Sequence, residues 1–315
     1  MLAKLESLMS ELAQPYPPLD KMLGWHLQSG GKRLRARLAL SAGSALGVDN
    51  DDALIWGAAC ELMHNATLVH DDVQDGDRFR RGAASVWSKF GVAQAINLGD
   101  LSFMLAFNAL AKMSCEESLR WHLSAALAGS CAKVIHGQSY DVDLCSQETL
   151  SWEHYLRIID GKTGAFFELP IEGILILGDV DSNQRGNILR GFQVVGRVFQ
   201  IVDDIIDLFA DKGRDMAGND IKEGKLSALV VEYCNLRPDN SQWLLDILKK
   251  KREDTSADDI AAVKAEFEET RVVEALSLRI TDYEALALEQ IGHLCAPLLA
   301  DTEKVFADLR SKLPA

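Results

Sequence analysis

The chain has 315 residues, 48% of them hydrophobic and 25% charged, a balance that excludes a disordered, fibrous or low-complexity protein. A formal net charge of −14 argues against a nucleic-acid or anionic-membrane partner and suits cationic ligands, divalent metals among them. The six cysteines (Cys60, Cys115, Cys131, Cys145, Cys234, Cys295) form no C-x-x-C pair, so buried thiols of a reducing cytoplasm are expected rather than disulfides or a zinc site.

No run approaches the roughly 20 apolar residues of a membrane span, and no basic region followed by an apolar run opens the chain. No proline stands between Pro18 and Pro170, while Leu54, Ala58, Glu61, Leu62, Asn65, Leu68 and Val69 recur at helical spacing along a mainly apolar face. Alternating Val/Ile/Thr runs are missing. The expected fold is therefore all-α, a single domain over residues 1–315 built as a bundle of long, mostly antiparallel helices around a central substrate cavity.

Taken in chain order, the first polar element is Ser29-Gly30-Gly31-Lys32-Arg33-Leu34-Arg35. Its glycines permit a sharp turn, and Lys32, Arg33 and Arg35 are donors able to grip a phosphate. The apolar helix that follows ends in Asp71-Asp72-Val73-Gln74-Asp75, and Arg80-Arg81-Gly82 comes just after it. Residues four apart share a helix face, so Asp71 and Asp75 project together and need a neutralising partner.

Lys162-Thr163 and Gln200 are polar groups in apolar helical context, where an unpaired group is costly. Asp203-Asp204-Ile205-Ile206-Asp207 then repeats the first acidic pattern. Mg²⁺ takes oxygen ligands, commonly one or two carboxylates with substrate phosphates, and two such clusters together could hold a diphosphate through bridging metals. Breaks are read at Gly30-Gly31, Val48 to Asp52, Gly76 to Gly82, Asp211 to Gly224 and Lys249 to Asp259. Lys249 to Lys251 closes a helix, and Ser256 with Asp259 has capping-box spacing for the next. A competing reading, a phosphohydrolase built on His70-Asp71 with His64 and His136, leaves Asp72, Asp75 and the second cluster without a role.

In sequence order, Gly30-Gly31-Lys32-x-x-Arg35, Glu61-x-x-His64, the first aspartate motif, Arg80-Arg81-Gly82, Gly99-Asp100, Gly137-Gln138, Lys162-Thr163, Phe199-Gln200, the second aspartate motif and Gly224-Lys225 form a set that resembles the trans-isoprenyl diphosphate synthase (polyprenyl synthetase) family over nearly the whole chain. The resemblance implies the type I isoprenoid synthase fold and condensation of isopentenyl diphosphate with an allylic diphosphate. It implies that Lys32, Arg35, His64 and Arg81 hold the diphosphate of isopentenyl diphosphate, and that Arg80, Lys162 and Lys225 hold the allylic one. Asp71, Asp75 and Asp203 would ligate Mg²⁺, three ions per active site with substrate bound, while Asp72, Asp204 and Asp207 support them. Thr163 and Gln200 would lie near the reacting carbons. A homodimer is implied as well, with the apolar stretch from Ala93 to Ala111 as a possible interface.

Departures from the family pattern are Ala36 and Ala84-Ser85 where prolines or proline-threonine are usual, Ser227-Ala228-Leu229 after Lys225, and the loop at Arg214-Asp215, where Asp215 stands in a lysine's place unless one residue is inserted. Four and five residues before the first aspartate, where aromatic side chains shorten the product in this family, stand the small Thr67 and Ala66. A product of twenty to forty carbons is expected, its tail running past Thr67, Ala66 and Met63, with Met63, Phe103 or Phe107 as deeper stops. The alternatives are a class I terpene cyclase, which lacks a second diphosphate site such as Lys32 and Arg35, and a weakly active subunit of a heteromeric synthase.

Overall fold

The computed structural model describes residues 1–142, 150–209, 218–292 and 296–314; Arg214-Asp215, Cys145 and Cys295 lie outside the described residues. In chain order the helices are α1 (Leu2–Ala13), α2 (Leu19–Gln28), α3 (Leu34–Leu46), α4 (Asn50–Gln74), α5 (Val86–Phe90), α6 (Val92–Leu110), α7 (Glu117–Val142), α8 (Trp152–Ile159), α9 (Ala165–Leu177), α10 (Ser182–Phe209), α11 (Asn219–Lys222), α12 (Ala228–Leu236), α13 (Gln242–Leu248), α14 (Ala257–Glu269), α15 (Val272–Gly292) and α16 (Ala296–Arg310). Strand among the described residues is confined to one hairpin, β1 (Phe79–Arg80) with β2 (Ala83–Ala84). The chain divides into two compact units, Met1–Ala132 with Phe166–Leu189, and Lys133–Ala165 with Arg190–Ala315.

In the first unit α4 is the spine. Asp49 caps its start by accepting the amides of Asp51 and Asp52, one of the side-chain caps worth about 1 kcal/mol. From Ala53 to Met63 every residue is buried, so the helix is apolar nearly all round and packs on α3 and α6. Trp56 is fully buried and donates its indole N–H to the Pro170 carbonyl at 3.0 Å. Gly173 makes room for that ring, since a Cβ there would lie 2.0 Å from it. Asp52 accepts both the amide and the hydroxyl of Ser114, which ties the α6–α7 turn to the start of α4.

The second unit holds its helices together with buried polar clamps. Glu232 on α12 accepts from the Trp152 indole at 2.7 Å and from Arg279 at 2.8 Å, and the Arg279 guanidinium lies over the Trp152 ring. The tyrosine hydroxyl of Tyr233 donates to Glu266 and accepts from Trp243 and Asn240. The expected capping box at the start of α14 is present, Ser256 accepting the Asp259 amide and Asp259 accepting the Ser256 amide.

Two expectations need correction. Of the four cysteines described only Cys60 is buried; Cys131 on α7, Cys234 on α12 and Cys115 in the turn between α6 and α7 are half-exposed. Arg33 is not a phosphate donor in waiting. It is 6% exposed, donates to the carbonyls of Gly30 and Leu27, and pairs with Glu6 at 3.2 Å.

Candidate active site

In the first unit, the last turns of α4 carry Asp71 and Asp72, and Asp75 caps the helix with its amide on the Asp71 carbonyl at 2.8 Å. Asp71 and Asp75 are half-buried and share a face. Asp72 points the other way, 1% exposed, and receives Arg80 through Nε at 2.8 and 3.0 Å and Nη2 at 2.7 Å. Burial opposes the charge on Arg80, but Asp72 more than offsets this and raises its pKa.

Arg80 is held by the hairpin, whose turn is Arg81-Gly82 with φ of +53° and +77°. Positive φ at both central residues is the type I′ pattern that suits a two-residue β-turn. Arg81 Nη1 donates to the Gly30 carbonyl. Gly31, at φ +133°, lies under the same guanidinium; a Cβ there would sit 2.6 Å from Arg81 Nη1. The Gly30-Gly31 turn and the arginine pair therefore belong to one structural element.

Arg35 and His64 meet around Phe166, the guanidinium carbon 5.8 Å from the ring centroid and the imidazole 5.3 Å in edge contact. The buried Arg35 Nε and His64 Nδ1 have no hydrogen-bond partner among the described residues. Burial, then Arg35, Arg81 and Arg80, push the His64 pKa well below the usual imidazole range, so the ring is neutral. Burial and Arg81 lower Arg35 against the pull of Glu61; burial, Arg80 and Arg33 lower Arg81. Lys32 is exposed beside this cluster. Glu61, 2% exposed, accepts the Arg35 and Ala36 amides at 3.0 and 3.2 Å and so caps α3 from a different helix.

Along α4 from Asp71, Thr67 is half-buried and donates to the His64 carbonyl, while Ala66 and Met63 are fully buried. Phe103 on α6 touches the His70 ring, centroids 5.8 Å apart. His70 is seated by Gly99, where a Cβ would lie 2.0 Å from Nε2. That contact accounts for the glycine of Gly99-Asp100.

In the second unit, Asp160–Gly164 is a π-helical turn, with the Ala165 amide reaching back five residues to the Asp160 carbonyl. Such wide turns are frequent at functional sites. Gly137 on α7 packs directly against it; a Cβ at Gly137 would stand 2.6 Å from the Lys162 amide nitrogen. Asp160 is gripped by Arg197 at 2.7 Å through two bonds. Lys162 Nζ pairs with Asp141 at 2.6 Å, and although burial works the other way, Lys162 and Lys225 draw the Asp141 pKa down. Lys225 pairs with Glu223 at 2.6 Å after a Gly224 turn at φ +67°.

Thr163 donates its hydroxyl to Gln200 Oε1 at 2.7 Å, and Gln200 Nε2 donates to Asp204 Oδ1 at 2.8 Å. Asp204 Oδ2 receives the Tyr155 hydroxyl at 2.8 Å and the Ala228 amide at 2.7 Å. Burial pushes the Asp204 carboxyl up to about 7 against the pull of those donors. Asp207 is buried and accepts the Asp220 amide at 3.0 Å; Asp203 is half-buried on α10. Among the described residues no three His, Cys, Asp or Glu side chains converge as a ready-made metal cage. Mg²⁺ seldom uses one, since it keeps waters and relies on substrate phosphates.

Tyr155, Asp141 and the capping role of Glu61 were not visible in the sequence. Glu61 gave the only local signal, a carboxylate inside an otherwise apolar helix face.

The fold is that of known isoprenoid synthases. A crystal structure of a geranylgeranyl pyrophosphate synthase superposes with a TM-score of 0.88 at 26% identity, covering 100% of this chain and 99% of that one. The geranylgeranyl pyrophosphate synthetase of Pyrococcus horikoshii Ot3 gives 0.83 at 27% identity over 98% and 97%. The chain thus has the all-α isoprenoid synthase fold. The polyprenyl synthetase family model matches residues 17–266, and the chain belongs to that family. A short chain isoprenyl diphosphate synthase of Methanocaldococcus jannaschii is 33% identical over 228 residues, 71% of this chain and 69% of its own. A geranylgeranyl diphosphate synthase of Mycobacterium tuberculosis is 34% identical over 254 residues, 76% and 72%. The protein is an enzyme, a prenyltransferase, and these relatives lend no support to a cyclase or an inactive subunit. Prenyl synthases are generally Mg²⁺-dependent, and the family implies isopentenyl and allylic diphosphates as substrates. No helix among the described residues is long and apolar enough to cross a membrane.

Proposed function

We propose that this prenyltransferase joins isopentenyl diphosphate to an allylic diphosphate and releases an all-trans prenyl diphosphate of twenty to forty carbons, with the twenty-carbon end favoured by the names of its relatives. Residues 1–315 act as one catalytic domain in this reading, in keeping with a family match that runs through 17–266. The observation that carries it is the cluster of Arg35, Arg81 and His64, basic groups depressed by burial and by neighbouring arginines, with Arg35 Nε and His64 Nδ1 buried and, among the described residues, unsatisfied. Such a cluster calls for an anion with several oxygens, and a diphosphate supplies it. Lys32 contributes further charge; neutral His64 offers one N–H.

Arg80, Lys162 and Lys225 are assigned to the allylic diphosphate. Each is already paired with a carboxylate (Asp72, Asp141 and Glu223), so each is pre-oriented as a charge donor rather than a wandering side chain. Asp71, Asp75 and Asp203 are the residues that would hold Mg²⁺, three ions in all with substrate bound; the donor set fits, being oxygen-only. Asp72, Asp204 and Asp207 are engaged by Arg80, by Tyr155 with Gln200 and Ala228, and by the Asp220 amide, which suits support rather than direct ligation. Bound magnesium supplies charge that stabilises the departing diphosphate. Thr163 and Gln200 lie where an allylic carbon develops positive charge, and their oxygens stabilise it. A homodimer in the cytoplasm completes the reading, with exposed Val92, Ile96 and Met104 on α6 and Trp121 on α7 as the apolar face.

Incubation of the purified protein with Mg²⁺, isopentenyl diphosphate and dimethylallyl, geranyl or farnesyl diphosphate, followed by mass analysis, tests this. An EDTA-sensitive prenyl diphosphate series is expected. A cyclic hydrocarbon, or no turnover with any primer, would overturn it.

A further inference from the structure

The geometry points to Tyr155 as a positioning residue that, through Asp204 and Gln200, commits the hydroxyl proton of Thr163 and leaves the Thr163 oxygen with only lone pairs to present to the reacting allylic carbon. This inference rests on the proposed placement of Thr163 near that carbon.

The argument follows donors and acceptors along one chain of bonds. The Ala228 amide can only donate, and it lies 2.7 Å from Asp204 Oδ2, which Tyr155 also approaches at 2.8 Å. Both bonds fix the carboxylate plane and turn Oδ1 toward Gln200 at 2.8 Å. With Asp204 Oδ1 accepting, Gln200 faces it with its NH₂ group, and the amide oxygen then faces Thr163, 2.7 Å away. An amide oxygen cannot donate. The Thr163 O–H therefore points at Gln200, and what remains on the Thr163 oxygen is acceptor capacity. A hydroxyl free to rotate could turn its proton toward a cationic carbon and repel it, or spend its lone pairs on water. A fixed one costs no reorganisation when charge develops.

Among the described residues Tyr155 makes no other side-chain hydrogen bond; it is 1% exposed and stands 49 residues from Asp204 in sequence, outside every motif that marks the family. It comes from α8, one turn before the π-helical segment that carries Thr163, so the same helix delivers both ends of the chain of bonds.

Neutron diffraction from deuterium-exchanged, metal-free crystals is the direct test. A deuteron on Thr163 Oγ aimed at Gln200 Oε1 is expected. A Gln200 amide turned over, with a deuteron on Asp204 Oδ1 and the Thr163 deuteron aimed elsewhere, overturns the inference. The kinetic test compares Tyr155→Phe with wild-type enzyme that has first been shown to make a prenyl diphosphate; failure of that first step sinks the proposed function and this inference with it. With active wild-type enzyme, Tyr155→Phe should lower kcat roughly five- to tenfold with both KM values unchanged. Thr163→Val should lower it further, and Thr163→Ser should restore it. An unchanged kcat in Tyr155→Phe, or KM rising for both substrates in parallel with a lowered melting temperature, overturns the positioning role while leaving the proposed reaction intact.

Discussion

Asp71 and Asp72 are neighbours with opposite surroundings. Asp72 is enclosed by a three-contact Arg80 grip, while Asp71 shares its face with Asp75 one turn on. Replacing Asp71 with alanine should cut turnover by about a thousandfold or more, since several kcal/mol of charge stabilisation at the leaving group depends on it. Circular dichroism should show an unchanged helical fold; near-normal rates would remove Asp71 from the metal-binding set. Thr67 is the half-buried small residue one turn before Asp71. A Thr67→Phe variant should shorten the product by at least one five-carbon unit, read from the mass of the released diphosphate, and an unchanged product would move the chain-length stop to Met63 or beyond.

At the level of single elements, caps and buried polar groups carry the measurable stability. Ser256→Ala removes half of the capping box on α14 and should cost about 1 kcal/mol, seen as a lowered midpoint in urea. His26 on α2 bonds the Asn65 side chain, and burial, followed by Arg80 and Arg81, lowers its pKa from 6.5 to about 3. The sign follows directly. Between pH 6.5 and 3 the unfolded chain binds a proton at this position that the folded chain refuses, so the contribution is present above pH 6.5 and lost as pH falls toward 3. Melting temperatures measured from pH 7 to 4 should fall more steeply for the wild type than for His26→Gln.

For the whole molecule, helical periodicity and the absence of proline were enough to read the all-α fold, because α4, α6 and α10 write their burial into the spacing of apolar residues. The aspartates and arginines were legible as residue types in order. Their partners were not. Tyr155 reaches Asp204 across 49 residues and Lys162 reaches Asp141 across 21, distances at which no local pattern survives. The hairpin at Arg80-Arg81 was read only as a break, since two-residue strands are too short to alternate. The apolar face of α6 was legible too, though not what covers it. Met104→Asp together with Trp121→Asp should convert a dimer to a monomer in sedimentation analysis, both positions being more than half exposed; a monomeric wild type would end that reading.

The wide turn at Asp160–Gly164 has a consequence for which edits this gene can tolerate. A π-helical turn holds one residue more than an α-helical turn, so the segment from Tyr155 to Thr163 is a fixed count as well as a fixed composition. Delete one residue and the turn can close to ordinary α geometry without rotating the helix beyond it, but the widened turn that sets the directions of Lys162 and Thr163 is lost. Lys162 and Thr163 would then leave Asp141 and Gln200 with every side chain still present. Among relatives that keep the reaction, this stretch should vary in spelling but never in length.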